Sequence, residues 1–327
     1  MEQGWLAIRP AHSLSDTCAM IGWNHPRIRG LIYQAVLISA VVALIAWLSH
    51  NTWVHLKERG IQSGFDFLWD SAGFDIGESL IAFDASQSYA VAFGVGLLNT
   101  LRVSCIGIVC ATLWGAVLGW GRLSNNALAR GLCYGYVEVF RNIPLLLQLF
   151  MWYVVLVDVM PASDHPLQLG RGILLSKEGL QLLWVGAEGV TFTPEFVALT
   201  WGLTLYSAAF MSEVIRAGIV SVAHGQAEAA HSLGLSRWQS MRWVILPQAL
   251  RVIIPPLTNQ YLSLIKNSSL AVAIGYPDLV SVSNTALNQT GRAVECILLV
   301  MAVYLSLSLF TAWCMNLYNQ RMALKVR

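Results

Sequence analysis

The sequence predicts an all-α integral membrane protein with about six transmembrane helices, and two observations carry that expectation. Of its 327 residues, 56% are hydrophobic and only 12% are charged, against about 25% charged in a soluble domain. The apolar residues also fall in six long runs, and a bilayer core of about 30 Å needs about 20 helical residues to cross. The runs are continuous rather than alternating, which favours helices over barrel strands.

Taken in order, the windows are roughly Leu31–Leu48, Leu97–Trp120, Leu132–Val157, Phe196–Val220, Val252–Gly275 and Val294–Leu317. The first follows Arg27 and Arg29 with no small-residue cleavage site after it, so it reads as a retained span rather than a removed signal peptide. Loop Lys and Arg counts set the orientation. With the N-terminus inside, the inner segments hold Arg9, Arg27, Arg29, Arg122, Arg130, Arg216, Arg237, Arg242, Arg251, Arg321, Lys325 and Arg327. The outer segments hold Lys57, Arg59, Arg171, Lys177 and Arg292, so the count is twelve against five. Both termini are expected in the cytoplasm. The chain then divides into a cytoplasmic segment 1–30, the first span 31–48, an outer amphipathic segment 49–96, a core 97–318 with a cytoplasmic loop at 221–250, and a tail 319–327. The outer stretches Ser49–Gly96 and Asp158–Glu195 are acidic and lack a core-sized apolar count, so each is expected to be a small cap or an interfacial helix with loop. Thirteen Trp and ten Tyr suit two interfacial belts.

Several chemistries are disfavoured. The net charge of +2 points to no nucleic-acid partner. Cys18, Cys105, Cys110, Cys133, Cys296 and Cys314 form no C-x-x-C pair, and the seven histidines form no H-x-x-x-H or H-E-x-x-H pattern, so no metal site is expected. No Gly-Lys pair occurs, so the chain has no P-loop. No Ser/His/Asp or paired-carboxylate set converges on one loop, and the chain is read as a non-enzyme.

The segment from Glu228 to Pro247, "EAAHSLGLSRWQSMRWVILP", is too polar to span and too well patterned for slack linker. Gln226–Leu233 has high helix propensity. Gly234 suits the left-handed residue that ends a helix. Ser236 and Gln239 have capping-box spacing for a second helix, Arg237–Leu246, with Pro247 as its boundary. Two such short helices need a surface to pack on. The small residues Ala229, Ala230 and Gly234 favour a protein partner; a solvated interfacial loop is the alternative.

Polar groups at membrane depth are costly and usually face a bundle interior or a wet cavity. Glu138 and Arg141 share a helix face at i, i+3 and are placed to pair, next to Asn142 and Pro144. Pro144 bends that helix and frees a carbonyl near Phe140. The group is read as either an inter-helix clasp or a gate. Glu213 and Arg216 repeat the spacing near the cytoplasmic end of the fourth span, as a relay to the loop. Asn259, Tyr261, Lys266, Asn267, Ser268 and Ser269 form a polar patch in the fifth span. "KNSS" can unwind a helix there. Lys266 and freed amides would suit a substrate carboxylate; a snorkelling Lys with inter-helix hydrogen bonds would look the same in sequence. Arg102 is expected to snorkel outward, with Asn99 and Thr100 beside it along a path.

The spacing of Glu228-Ala229-Ala230, Gly234, Val244, Leu246 and Pro247 resembles the EAA loop of ABC importer permeases. "GLLNTL" (Gly96–Leu101), "VEVFRNIPLLLQ" (Val137–Gln148), "SEVIRAGI" (Ser212–Ile219), "HGQAEAA" (His224–Ala230) and "IKNSSL" (Ile265–Leu270) are similar to the polar amino-acid permeases within that family. "NHPRIRG" (Asn24–Gly30) and "AGFDIGESLIAF" (Ala72–Phe83) are similar to the general L-amino-acid permeases, which add a first span to a five-helix core. The likeness runs from about Asn24 to the end, weakest from Pro161 to Glu195, where this chain is shorter than many such permeases.

The resemblance implies a permease subunit of an ATP-driven L-amino-acid importer in the bacterial inner membrane. The implied partners are a periplasmic amino-acid-binding protein, a second and related permease, and a cytoplasmic ATPase dimer that carries the ATP and Mg. Glu228 would offer charge to the ATPase, Gly234 would permit the bend, and Leu246 and Pro247 would seat the loop on the spans. A self-sufficient secondary transporter or channel for small polar solutes is the rival reading.

Overall fold

The computed structural model describes residues 26–58, 60, 63–168, 170, 172–183 and 190–322. The first 25 residues, the last five, and Arg59, Arg171 and Glu188 lie outside the described residues. The chain divides at residue 62 into two units.

The first unit contains α1 (Pro26–Glu58), 33 residues long. At 1.5 Å per residue it measures about 50 Å, so it outruns a bilayer core. It continues past the expected end at Leu48. Its apolar side chains, Leu31, Val36, Ile45 and Trp47 among them, are exposed on every face, as a span meeting lipid requires.

The second unit opens with a strap. A 3-10 turn, Asp66–Trp69, is followed by irregular chain as far as Ser88. Phe67 and Ala72 bury against Tyr89, Phe93, Leu279 and Val282. The strap is therefore a packed cap without an interfacial helix. Then come α2 (Tyr89–Gly121), α3 (Ala127–Asn142), α4 (Leu145–Val159) and α5 (Pro194–Val220). The loop region follows with α6 (His224–Ser232), α7 (Arg237–Ser240) and a π turn, Met241–Ile245. The unit closes with α8 (Leu246–Asn267), a 3-10 turn (Ser268–Ile274), α9 (Leu279–Thr290) and α10 (Ala293–Met322).

The core is organised on α5, which packs on α2, α3, α4 and α8; its pairing with α2 is the most extensive in the unit. Small residues allow that closeness. On α2, Ala111, Gly115 and Gly119 recur at i, i+4 and i+8 on one face. A Cβ on Gly115 would lie 2.9 Å from Met211 Cβ and 3.1 Å from the Ala208 carbonyl, and one on Gly119 would lie 3.0 Å from the Ser212 carbonyl. Close backbone approach of this kind is how helices associate without a hydrophobic driving force.

Between α4 and α5 lies an antiparallel sheet of β1 (Leu167–Gln168), β2 (Ile173–Ser176), β3 (Gly179–Leu182) and β4 (Val190–Phe192), paired in chain order. The residues from Asp158 to Glu195 therefore form no interfacial helix among those described. β4 leads directly into α5, so the sheet is fixed to the start of the central helix.

Four or five of the about six expected spans are accounted for among the described residues. Four described helices are long and apolar enough to cross a membrane, within α1, α2, α5 and α10. A fifth results only if α3 and α4 together are one span, and they bend by 106° at Ile143–Pro144. The fifth window, Val252–Gly275, is not among them: α8 carries Arg251, Thr258, Asn259, Gln260 and Lys266 and the paired prolines Pro255 and Pro256. α2 begins at Tyr89 rather than Leu97. The mostly helical membrane architecture itself stands.

Candidate functional site

The loop between α5 and α8 folds as its local chemistry dictates. α6 ends at Gly234, whose φ is +77°. The Leu235 N–H donates to the Ala230 carbonyl at 3.1 Å and the Gly234 N–H to the His231 carbonyl at 2.9 Å. This is a Schellman closure. Ser236 then caps α7. Its Oγ accepts the Gln239 N–H at 3.3 Å, and Gln239 Oε1 accepts the Ser236 N–H at 2.9 Å. Glu228 is exposed, with His224 Nδ1 at 3.3 Å from its Oε1. Ala229 faces outward while Ala230 is buried. Leu233, Trp238 and Trp243 are all largely exposed.

The second loop helix departs from expectation. It does not stop at Pro247. α7 passes through the π turn, whose Leu246 N–H donates to the Met241 carbonyl, and continues as α8 with Leu246 and Pro247 in its first turn. Proline clashes with the carbonyl four residues back and offers no N–H. Widening the preceding turn relieves that conflict without ending the helix.

Near the C-terminal end of α5, Arg216 Nη2 donates to Glu213 Oε1 at 2.6 Å, the i, i+3 pair expected from spacing. The other carboxylate oxygen accepts from Nη1 of Arg122, the C-cap residue of α2. The Arg122 guanidinium also lies 4.3 Å from the Tyr134 ring centroid on α3. A three-helix clasp thus centres on Glu213. Arg122 was legible in sequence only as one more loop cation.

The α3–α4 break is built differently. Glu138 and Arg141 do not pair. Arg141 lies over the Phe210 ring at 5.2 Å, and Asn142 Nδ2 reaches the Glu138 carbonyl at 2.7 Å and its Oε2 at 3.3 Å. Pro144 holds Ile143 in an extended conformation. The carbonyls this frees at Phe140 and Ile143 both accept from Gln148 Nε2, at 2.9 and 2.8 Å. Gln148 is buried and is the group that stabilises the break.

In the fifth window the helix tightens from α to 3-10 at Ser268, where Ser268 and Ser269 Oγ donate to the Ile265 and Lys266 carbonyls, both at 2.7 Å. Lys266 is exposed and lines a cavity of about 550 Å³ with Leu298, Met301, Tyr304 and Ser308 of α10. Asn259 is exposed and Asn267 half-buried. Asn99 and Thr100 are fully buried. Asn99 Nδ2 donates to the Glu78 and Pro277 carbonyls at 2.7 and 2.9 Å, and Thr100 Oγ1 accepts the Leu279 N–H at 3.1 Å. Both tie α2 to the start of α9 and neither faces an open channel in this chain.

Arg102 does not snorkel. Its Nη1 is 2.5 Å from Glu78 Oε1, and its guanidinium lies 4.6 and 4.4 Å from the centroids of the Phe192 and Phe196 rings, which pack on each other at 5.0 Å. Glu78 Oε2 also accepts from Thr193 Oγ1 at 2.5 Å. Two cavity-scale features therefore sit at opposite ends of α5, this buried pair at its start and the capped loop past its end. The separation is about 40 Å for 27 residues. Among the described residues no group of His, Cys, Asp and Glu is disposed to hold a metal.

Comparison with known proteins agrees with this arrangement. Residues 106–324 match the family described as binding-protein-dependent transport system inner membrane component. The chain is 41% identical to the putative amino-acid ABC transporter permease protein YhdX of Escherichia coli K12, covering 97% of this chain and all of that one. It is 38% identical to the general L-amino acid transport system permease protein AapQ of Rhizobium johnstonii, with the same coverage. Those alignments run over 392 and 398 positions, more than the 327 residues present here, so both relatives carry residues without a counterpart in this chain. Among solved structures, one titled "Crystal structure of an amino acid ABC transporter with histidines" superposes with a TM-score of 0.57 at 28% identity, covering 71% of this chain and 95% of that one. The chain belongs to the family of inner membrane components of binding-protein-dependent transport systems and is a permease of the ABC transporter type.

Proposed function

We propose that this chain is one of two membrane-spanning subunits of an ATP-driven importer of L-amino acids in the bacterial inner membrane, with both termini in the cytoplasm. A periplasmic binding protein delivers the amino acid. A related permease completes the pore. A separate cytoplasmic ATPase dimer holds the ATP and Mg and grips the α6–α7 loop. The observation that carries the reading is the geometry of that loop. An exposed carboxylate at Glu228 on α6 and the exposed apolar side chains of Leu233, Trp238 and Trp243 follow one another along a loop that is closed at Gly234 and capped at Ser236. Exposed aromatic side chains on a stiff mount are what a partner's pocket takes up. The names of the two permease relatives support the substrate class.

In this reading the motor moves α6 and α7, α8 moves with α7 as one helical piece, and α5 moves through its short link to α6. Such rigid-body transmission suits packed helices, which are bistable rather than freely deformable. Lys266, beside Asn267 and Ser268 in the α8–α10 cavity, offers its ammonium to a substrate carboxylate on the path. Glu138, Arg141, Asn142 and Pro144 shape the break that bounds the path, and Asn259 lies further along α8.

The test is co-purification with the ATPase and uptake of radiolabelled L-amino acids. Gly234→Asp and Glu228→Lys should leave membrane insertion intact while ATPase association and uptake are lost. Normal uptake in both variants, or uptake that follows an ion gradient without any ATPase, would overturn the proposal in favour of a secondary transporter.

A further inference from the structure

The last turn of α2 touches two mechanical elements at once. Through Gly119 and Arg122 it is locked to α5. The Gly119 backbone is pressed against the Ser212 carbonyl, and Arg122 reaches Glu213 from a side chain that is almost wholly buried. Through Trp120 it meets the loop, its ring centroid lying 6.0 Å from that of Trp238 on α7. Trp120 and Trp238 also bound a recess of about 190 Å³ together with Met241, Arg242 and Leu246, across the π turn. Neither contact follows from chain connectivity. Trp120 and Trp238 are 118 residues apart, and Arg122 and Glu213 are 91 apart.

We infer that Trp120 and Arg122 form a strut that carries displacement of the α7 end of the loop into α2 and α5, in parallel with the two covalent links to α5 and α8. The inference rests on the coupling role proposed for the loop. Arg122 is the positioning residue. As a cation at a helix C-terminus it is favoured by the helix dipole, and its fork fixes Glu213 in a two-sided grip with Arg216. Trp120 is the bearing on which α7 leans. With the strut intact, a push on α7 moves three packed helices together. With it cut, α7 shifts against α2, and hydrolysis proceeds without the matching movement of the pore.

The experiment measures ATP hydrolysed per amino acid imported, with the complete complex in proteoliposomes, binding protein outside, and a radiolabelled mixture of L-amino acids. Arg122→Gln should raise that ratio about threefold or more, in the range of coupling changes seen along packed networks, and Arg122→Lys should restore most of it. Trp120→Ala and Trp238→Ala should each raise it, and the double variant no further than the larger single. Wild-type ratios in Arg122→Gln and Trp120→Ala would overturn the strut. Should Arg122→Gln fail to assemble, the tryptophan cycle decides alone, and fully multiplicative effects of the two single changes would overturn it. Gly234→Asp separates the layers. An active Gly234→Asp complex removes the coupling role itself, whereas an inactive one beside multiplicative tryptophan variants removes only the strut.

Discussion

Arg102 on α2 and Glu78 in the strap form a nearly closed ion pair, 10% and 6% exposed, whose guanidinium packs on both Phe192 and Phe196. One contact set thereby joins the strap, α2, the sheet and the first turn of α5. Removing one partner of a buried pair leaves the other charge uncompensated, which costs about 3–5 kcal/mol. Glu78→Ala or Arg102→Ala should therefore lower the thermal unfolding midpoint of the purified protein sharply. Replacing both by apolar residues of similar size should cost much less than the sum of the two single changes, as a double-mutant cycle would report.

Gly234 has open space around the position of a Cβ but a φ of +77°. Sterics with neighbours are thus not the obstacle; backbone conformation is. Gly234→Ala should cost about 1 kcal/mol of loop stability, and Gly234→Asn less, because Asn tolerates the left-handed region. Amide hydrogen exchange at Leu235 and Gly234 measures the loss directly. Equal protection in the Ala and Asn variants would show that the turn does not limit the loop.

Gly115 presents the opposite case. A methyl group there meets Met211 Cβ at 2.9 Å and a backbone carbonyl at 3.1 Å, neither of which moves without shifting α5. Gly115→Ala should destabilise by about 1–3 kcal/mol despite its better helix propensity. Gly94, also in α2, has nothing within 4 Å. Gly94→Ala should be neutral or stabilising by up to about 1 kcal/mol. Unfolding midpoints of the two variants in one detergent give the comparison.

The strap is clipped to the α9–α10 turn by Arg292, whose Nη1 and Nη2 donate to Asp66 at 2.9 and 3.0 Å and whose Nη1 also donates to the Gly64 carbonyl at 2.6 Å. The Arg292 hydrogen bonds hold the Asp66 carboxyl below its ordinary value of 3.8. A depressed carboxyl contributes stability that is present above the unfolded value and lost as pH falls through the folded one. Hydrogen exchange of residues 63–72 should therefore quicken as pH drops below about 4. Asp66→Asn should exchange quickly at every pH and abolish that step.

What the sequence revealed and what it hid divide by distance along the chain. The helix end at Gly234, the Ser236–Gln239 box and the Glu213–Arg216 pair lie within one turn of each other, so spacing alone announces them. Equal spacing failed at Glu138 and Arg141 because the Phe210 ring, on another helix, took the guanidinium. Glu78–Arg102, Arg122–Glu213 and Asp66–Arg292 bridge 24, 91 and 226 residues, and no periodicity encodes such pairs. The sheet escaped notice because its strands are two to four residues long, at or under the lower end of the 4–8 residues in which alternation becomes visible. Proline at 247 read as a stop because the rule assumes regular α geometry in the preceding turn.

That preceding turn fixes the phase of everything before it. A π turn holds one residue more than a regular one, so α7 and α8 are rotated relative to each other by about 100° from where a uniform helix would set them. The face that carries Trp238 toward Trp120 owes its direction to that widened turn. Drawing that turn into regular α geometry at the same chain length would aim the tryptophan away from its seat, whereas deleting one residue between Met241 and Ile245 would restore regular geometry and leave its direction nearly unchanged, so the irregular turn and the surplus residue are matched to each other.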